Sequence, residues 1–331
     1  MSNPSAQAAF AGTDLVLEPV EGSSPAVELS QDARAAFSTE PVLARHNLQE
    51  NPLFSDQSLI ELLDRHPREL IYAITMGGDP AREENRLAAH DGVSGRDLLE
   101  AVRRGRFWLN VTRVNRTDPR FRDLIERLYQ ELAKTVPGFK PQKTQGSVVI
   151  SSPHAIVYLH ADAPPNILWH VRGRKKIWIY PALDERFLPR TDLEDILAGA
   201  RHEYLPYRPD FDAHATCYEL GPGDMATWPQ NAPHRVTNLD SLNVALSTEH
   251  FTAQSRARAR VYSANRFLRN RFGLSRLSSR ETGLGALAKT ALHRAARRLG
   301  LEADPTVAKQ WVPTLRVSRD SPTGVVELFL S

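Results

Sequence analysis

The chain has 331 residues, of which 41% are hydrophobic and 24% are charged, as is typical of a globular protein with one large or two modest domains. The single cysteine, Cys217, excludes an intrachain disulfide framework and a thiolate-rich zinc site. The first residues lack a basic start followed by an apolar run, and no apolar stretch approaches about 18 residues. We therefore expect a cytoplasmic protein with neither a signal peptide nor a membrane span.

The net charge of +3 conceals an uneven distribution. The stretch from Arg256 to Arg298 contains twelve of the 42 basic residues and one of the 39 acidic residues, which leaves thirty basic and thirty-eight acidic residues elsewhere. Such a segment indicates either a polyanionic partner or a solvated or dimer-forming helical region. Because its arginines match no DNA-reading motif, we favour a homodimer through these helices and consider nucleic acid an unlikely partner.

The N-terminal half has the pattern of a helical region that follows a flexible arm. Residues 1–30 are rich in Ala, Ser, Pro and Glu and predict the arm, and residues 31–143 predict a mainly helical region. Capping residues and apolar spacing predict three helices there, in the stretches "SDQSLIELLDRHP", "SGRDLLEAVRRG" and "DPRFRDLIERLYQELAKTVPG".

The pattern changes to short β-branched and aromatic segments over residues 144–252. Segments such as "GSVVISS", "NILWHVRG" and "SLNVALSTEHF" are interrupted by Pro, Gly and Ser, which favours an antiparallel jelly roll. Residues 253–331 predict a basic helical region that ends in a β-hairpin around Asp320–Gly324. The expected fold is therefore α+β, a double-stranded β-helix core with an N-terminal helical region and a C-terminal helical extension.

One stretch, "YLHADAPPNILWHVRGRKKIWIYP", brings metal-ligand residue types close together. His160 and Asp162 are two apart, so on a strand they would point to the same face. A second histidine would complete the two-histidine, one-carboxylate arrangement that leaves open positions on Fe(II). His234 is the best candidate, because it follows the Pro229–Pro233 bend and a histidine fixed in this way loses little entropy when it binds a metal.

These motifs resemble the JmjC-type, cupin-fold Fe(II)/2-oxoglutarate hydroxylases, a group that includes the hypoxia-response asparaginyl hydroxylase and bacterial cupin-like proteins. The resemblance covers about residues 145–251 and rests on the His-x-Asp pair, the following Asn and Lys, and a distal His after "PGD" and "WP". Two positions depart from the family pattern: Val157 replaces a common hydroxyl residue, and Pro233 replaces a common aromatic residue.

The resemblance implies a role for each matched residue. His160, Asp162 and His234 would bind Fe(II), Lys175 would pair with the distal carboxylate of 2-oxoglutarate, and Asn166 would help to orient this cosubstrate. From the residues themselves, a hairpin at Gly173-Arg174 would introduce the lysine pair, and Lys175 is favoured over Lys176 because the two point to opposite faces of a strand. Further candidates are His170 as a substrate contact, His214 and His250 as rival ligands, and Trp169, Trp178 and Trp228, which we expect to pack in the core.

The leading hypothesis is an Fe(II)- and 2-oxoglutarate-dependent dioxygenase, an oxidoreductase that uses O2 to hydroxylate a protein side chain or a small molecule. The alternative is a non-catalytic metal-binding cupin that acts as a sensor or regulator. Lys175 favours the enzyme, because a metal sensor has no need of a cation at that spacing.

Overall fold

The computed structural model describes residues 26–302 and 312–328, which form an α+β fold built on two β-sheets. The strands are β1 Val27–Glu28, β2 Val42–His46, β3 Ile71–Thr75, β4 Arg86–Ala89, β5 Phe107–Val111, β6 Gln142–Ser151, β7 Ile156–His160, β8 Asn166–Arg172, β9 Lys175–Ile179, β10 Thr216–Leu220, β11 Asp224–Thr227, β12 His234–Asn238, β13 Asn243–Phe251, β14 Leu315–Val317 and β15 Val325–Glu327. The helices are α1 Gln31–Ala36, α2 Asp56–Arg65, α3 Gly95–Arg104, α4 Val114–Thr117, α5 Pro119–Thr135, α6 Arg190–Ala198, α7 Ala253–Phe272 and α8 Leu284–Arg298. Short 3₁₀ helices lie at Leu48–Glu50, Pro52–Phe54, Arg68–Leu70 and Pro209–His214.

The eight consecutive strands β6 to β13 form the predicted jelly roll. Four of them form one sheet in the order β10-β9-β12-β7, and the other four lie side by side in the larger sheet as β11-β8-β13-β6. All neighbouring pairs among these eight strands are antiparallel. The chain therefore moves back and forth between the sheets, and side chains of both sheets line the space between them.

The N-terminal region is less helical than its pattern predicts. The larger sheet has eleven strands in the order β1-β2-β11-β8-β13-β6-β5-β3-β4-β14-β15, so β2 to β5 of residues 31–143 extend the jelly roll on both sides. Strand β5 shows the reason, because its residues alternate between fully and partly buried, as in a strand with one covered face. The prediction followed the helix caps and overlooked these short alternating segments.

The three predicted N-terminal helices are confirmed as α2, α3 and α5. Their N-caps are Ser55, Ser94 and Asp118, and each side chain accepts a hydrogen bond from a backbone N–H of the first turn. In α5, the buried residues recur every three or four positions, which presents one apolar face to the core (Phe121, Leu124, Ile125, Leu128, Tyr129 and Leu132).

The connection that carries the lysine pair is a crossing between sheets and not the predicted hairpin. Strand β8 belongs to the larger sheet and β9 to the smaller one, so the two do not pair. Gly173 makes the crossing with a φ of 81°, and a Cβ there would lie 2.5 Å from the carbonyl oxygen of Leu242. Only glycine fits this conformation without strain, so Gly173 fixes the point at which Lys175 begins the next strand.

The basic C-terminal region is helical, as predicted, and part of it belongs to the core. Val261 and Tyr262 of α7 are buried in a cluster with Leu159 of β7 and with Leu193 and Ile196 of α6. The predicted hairpin is present as β14 and β15, which pair antiparallel, and β14 also pairs parallel to β4.

The predicted N-terminal arm falls mostly outside the described residues. Of residues 1–30, only the last five are described, and they include β1, which pairs with β2. Among the described helices, none combines the length and the apolar character that crossing a membrane requires.

Candidate metal centre

The three candidate ligands meet at one end of the smaller sheet. His160 is the last residue of β7 and His234 is the first residue of β12, and the two are direct partners in the antiparallel ladder. Asp162 lies just beyond the end of β7, in the turn towards β8. Strand pairing thus brings together residues that are 74 positions apart in the chain.

The geometry of the three side chains suits a single divalent ion. The Asp162 carboxylate lies 3.7 Å from Nε2 of His160 and 3.5 Å from Nε2 of His234. One ligand atom from each residue lies within 4.8 Å of the others. Since metal–nitrogen and metal–oxygen bonds are about 2.0–2.2 Å long, two ligands of one ion lie up to about 4 Å apart, and both measured separations satisfy this limit.

Backbone carbonyls fix the tautomers of both histidines. Nδ1 of His160 lies 2.9 Å from the carbonyl oxygen of Tyr158, and Nδ1 of His234 lies 3.1 Å from that of Ala232. A carbonyl oxygen only accepts, so each Nδ1 carries the proton and each Nε2 presents a lone pair towards Asp162. Burial lowers the pKa of His234 to about 4, which keeps this imidazole neutral at pH 7. The donor set therefore fits a metal ion.

Amide side chains hold the Asp162 segment in place. The Asn166 amide donates to Oδ2 of Asp162 over 3.1 Å, and the Ser247 hydroxyl donates to the Asn166 oxygen over the same distance. The Asn231 amide donates to the Asp162 carbonyl oxygen over 2.8 Å. Partners of this kind orient ligating carboxylates in metal sites. In this structure Asn166 contacts the candidate metal ligand Asp162. Ser247 and Asn231 were not predicted from the sequence.

A cavity of about 640 Å³ opens from the three ligands into the space between the sheets. Lys175 lines it and is only 4% exposed. Among the described residues, no hydrogen bond or ion pair of its ammonium group is found, and burial lowers the pKa of Lys175 to about 8. Lys176 is half-buried and does not line the cavity, which agrees with the predicted alternation along the strand. The cavity thus contains a buried cation that has no ion-pair partner among the described residues.

His170 does not line this cavity, although it lies at the same parity on β8 as Asn166 and Leu168, which do. It is fully buried, and its Nε2–H donates to the carbonyl oxygen of Gly173 over 2.9 Å. Its place is therefore beside the crossing between the sheets.

The rival ligands lie elsewhere. His214 ends the 3₁₀ helix before β10 and contacts the ring of Phe187. His250 is buried on the face of β13 away from the cavity, where Nδ1 lies 3.2 Å from the Tyr129 hydroxyl. Among the described residues, the only group of three or more potential ligands comprises His160, Asp162 and His234.

Two acidic residues in the cavity were missed. Glu203 and Glu249 both line it, and burial, with the nearby Asp162 carboxylate as the next cause, raises the pKa of Glu203 to about 8 and that of Glu249 to about 7. The Glu203 carboxylate accepts a hydrogen bond from the backbone N–H of Ala163 over 2.8 Å. Alternation along β13 could have identified Glu249, because His250 points the other way. Glu203 lies on a loop and has no such signal.

Some tryptophans line the cavity and others pack elsewhere in the fold. Trp108 and Trp228 line the cavity, and the Trp228 ring packs against His234 with the ring centres 4.3 Å apart. Trp169 is buried and donates to the Thr248 hydroxyl. Trp178 lies beneath the guanidinium of Arg235. The packing role expected for Trp169 and Trp178 agrees with these contacts, and Trp228 combines packing with a place in the cavity wall.

Comparison with known proteins gives one family match. Residues 90–250 match the family model of the cupin-like domain. No curated protein matches the sequence.

Among solved structures, the X-ray structure of E. coli ycfD is similar with a TM-score of 0.48 and 16% identity, over 87% of this chain and 72% of that chain. A structure of YcfD, described as a ribosomal oxygenase from Escherichia coli in complex with cobalt and 2-oxoglutarate, has a TM-score of 0.45 and 14% identity, over 86% and 71% of the two chains. The DMSP lyase DddQ from Ruegeria pomeroyi DSS-3 overlaps with 34% of this chain and 40% of its own, at a TM-score of 0.22 and 14% identity.

Proposed function

We propose, from the premise that residues 90–250 are a cupin-like domain, that the protein is a cytoplasmic Fe(II)- and 2-oxoglutarate-dependent dioxygenase. It would hydroxylate a protein side chain or a small molecule and convert 2-oxoglutarate to succinate. The observation that carries this proposal is the buried Lys175 ammonium, which lines the same cavity as the three candidate metal ligands.

Lys175 argues for an anionic ligand inside the barrel. An ammonium group removed from water without a counter-charge destabilises the folded protein, and its lowered pKa expresses that penalty. A carboxylate bound beside it would compensate for the penalty. 2-Oxoglutarate has a carboxylate at each end, so one end can bind a metal while the other reaches the lysine. A metal sensor, the alternative function, gives no reason for the lysine.

In this proposal the residues divide the work of binding and orientation. His160, Asp162 and His234 hold Fe(II), Lys175 binds the distal carboxylate of 2-oxoglutarate, and Asn166 orients the Asp162 carboxylate. Bound together, Fe(II), 2-oxoglutarate and O2 would supply the oxidising chemistry that places a hydroxyl group on a substrate carbon.

The test is calorimetric titration of 2-oxoglutarate into anaerobic, Mn(II)-loaded protein. A hydrogen bond to a charged group contributes about 1.5–3 kcal/mol, and each 1.4 kcal/mol is about tenfold in affinity. Lys175→Ala should therefore weaken 2-oxoglutarate binding by roughly ten- to a hundredfold and leave Mn(II) binding intact. Lys176→Ala is the matched control and should bind like the parent.

Turnover separates the two candidate functions. The enzyme should release succinate from 2-oxoglutarate in the presence of Fe(II), ascorbate and O2, and Lys175→Ala should release far less. A parent protein that binds Mn(II) but neither binds nor consumes 2-oxoglutarate would support the sensor and contradict the enzyme.

A further inference from the structure

A second concave site lies between α7 and α8, and shares no lining residue with the metal centre. It is a groove of about 550 Å³. Its cationic residues are Arg260 of α7 and three arginines of α8, with one hydroxyl residue on each helix. We name it the arginine groove and define it by Arg260, Ser263, Thr290, Arg294, Arg297 and Arg298.

Helical spacing explains why these residues share one groove. On α8, Thr290, Arg294, Arg297 and Arg298 follow one another at intervals of four, three and one, and so lie along one side of the helix. At about 1.5 Å per residue, they extend over roughly 12 Å of helix axis. Arg260 is three residues before Ser263 on α7, and its helix forms the opposite wall.

The groove retains positive charge because the carboxylates near it are already engaged. Among the described residues, no hydrogen bond or ion pair of the guanidinium groups of Arg260, Arg294 and Arg298 is found. The one acid that lines the groove, Glu302, already contacts His293 at 2.6 Å and Arg266 at 3.5 Å.

The contrast with other arginines of the same region is clear. Arg258 pairs with Glu281, Arg266 with Asp195, and Arg269 with Glu194, so these three serve the fold. Among the described residues, Arg260, Arg294 and Arg298 have no such ion pair, and all four arginines of the groove are exposed.

We propose that the arginine groove binds the phosphodiester backbone of a nucleic acid. Guanidinium groups and hydroxyls match phosphate oxygens, because arginine offers a planar set of donors and no acceptor. A nucleic acid strand carries one phosphate per about 3.4 Å of helix rise, so 12 Å of groove spans roughly three phosphates. A concave surface with an excess of one sign of charge also concentrates the field on a polyanion.

The acidic charge of the rest of the chain favours binding of a polyanion at the arginine groove. Outside Arg256–Arg298, acidic residues exceed basic ones by thirty-eight to thirty, so the body repels a polyanion that the groove attracts. This revises the preference from the sequence, which favoured self-association over nucleic-acid binding for the basic segment. The reason is that several of its apolar residues, Val261, Phe267 and Leu268 among them, are already buried within the chain.

The test is fluorescence anisotropy with a labelled single-stranded 20-nucleotide RNA and a DNA of the same sequence, titrated with the full chain at 50, 100 and 200 mM KCl. The groove variant is Arg260→Gln, Arg294→Gln, Arg298→Gln. The matched control is Arg271→Gln, Arg276→Gln, Arg280→Gln, which removes the same charge from exposed arginines outside the groove.

The groove variant should bind at least tenfold more weakly at 100 mM KCl. Its slope of log K against log salt should be shallower by about 2, because each lost contact with a single strand removes about 0.7. The control should keep most of the parental affinity and slope. Stronger binding of one probe would identify RNA or DNA as the natural ligand.

Equal losses in both variants would overturn the proposal, because they would show attraction by net charge alone. A parent that fails to bind either probe at 50 mM KCl would overturn it as well. So would a parent that binds vesicles of phosphatidylserine but not nucleic acid, since the groove would then serve a lipid surface. Thermal unfolding of all three proteins checks that the folds are intact.

Discussion

The cavity of the jelly roll and the arginine groove place charge in opposite environments. In the cavity, Lys175, Glu203 and Glu249 are removed from most of the solvent, and burial is the main cause of every shifted pKa among them. In the groove, the arginines remain in water and need no partner to stay charged. The difference indicates two kinds of recognition. In the two proposals, the cavity binds a small ligand that replaces lost hydration, and the groove binds a large polyanion at the surface.

The largest expected effect concerns metal binding in the cavity, because a divalent ion would be the largest charge there. His160→Ala, Asp162→Ala and His234→Ala should each reduce bound Fe(II) from one ion per chain to almost none. The matched control is His214→Ala, which removes a histidine outside the cluster. Metal analysis after anaerobic dialysis measures the effect. Stoichiometric iron in a variant that lacks all three ligands would contradict the assignment.

Self-association tests whether the C-terminal helices act through charge alone. Leu284, Leu287 and Leu292 of α8 are 86%, 66% and 50% exposed, and burial of one such side chain contributes about 1.5–3 kcal/mol. If they form a homodimer contact, changing all three to Gln should convert the dimer into a monomer in light scattering. A parent that is monomeric at the highest concentration measured would refute the contact. The triple Leu→Gln variant is a more specific test of self-association than truncation of the chain at Gln254, because truncation would also remove the buried Val261.

Lys175→Met should stabilise the protein in the absence of ligands. The folded pKa of about 8 lies below the ordinary value of 10.5, so protonation favours the unfolded chain. The penalty is complete below pH 8 and fades as the pH rises towards 10.5. It corresponds to roughly 3 kcal/mol, since one pKa unit is about 1.4 kcal/mol.

Urea unfolding at pH 7 and pH 10 measures this effect. The gain from Lys175→Met should be largest at pH 7 and should shrink at pH 10. Lys176→Met should change the free energy of unfolding little at either pH. A loss of stability in Lys175→Met at pH 7 would mean that the ammonium group has a partner within the fold.

The smallest effect concerns the pH dependence of 2-oxoglutarate binding. In the proposed function 2-oxoglutarate binds the charged form of Lys175, so its affinity should be nearly constant below pH 8 and fall about tenfold per pH unit above it. The measurement is calorimetry with anaerobic, Mn(II)-loaded protein from pH 7 to pH 9.5. Lys175→Ala should bind weakly with no such dependence, and an identical pH profile in parent and variant would assign the titration to another group.

Local sequence spacing was sufficient to predict part of the site. His160 and Asp162 are near neighbours in the chain, and the Pro-rich bend pointed to His234 as the second histidine, so their meeting needed only the expected antiparallel pairing. Alternation along β9 distinguished Lys175 from Lys176 for the same reason. Pattern reasoning is reliable where side-chain direction follows from a strand.

Other features depend on tertiary placement and left no signal in the sequence. Glu203 reaches the cavity on a loop that follows α6, and strand alternation does not apply there. The crossing between the sheets at Gly173 was predicted as a hairpin because a tight turn between two strands has the same composition in both cases. His170 has the parity of a cavity residue, yet it lies beyond the cavity's end.

The pairing of His160 with His234 also has a consequence for how such a protein could diversify. The candidate ligands come from two adjacent strand ends and one turn, so the loop that carries Glu203 supplies no ligand. Changes in that loop could alter what the cavity accepts without loss of the ion. The paired strands and the Glu203 loop would then evolve under separate constraints. Exchanging only this loop between related proteins would be a practical route to new substrate preferences.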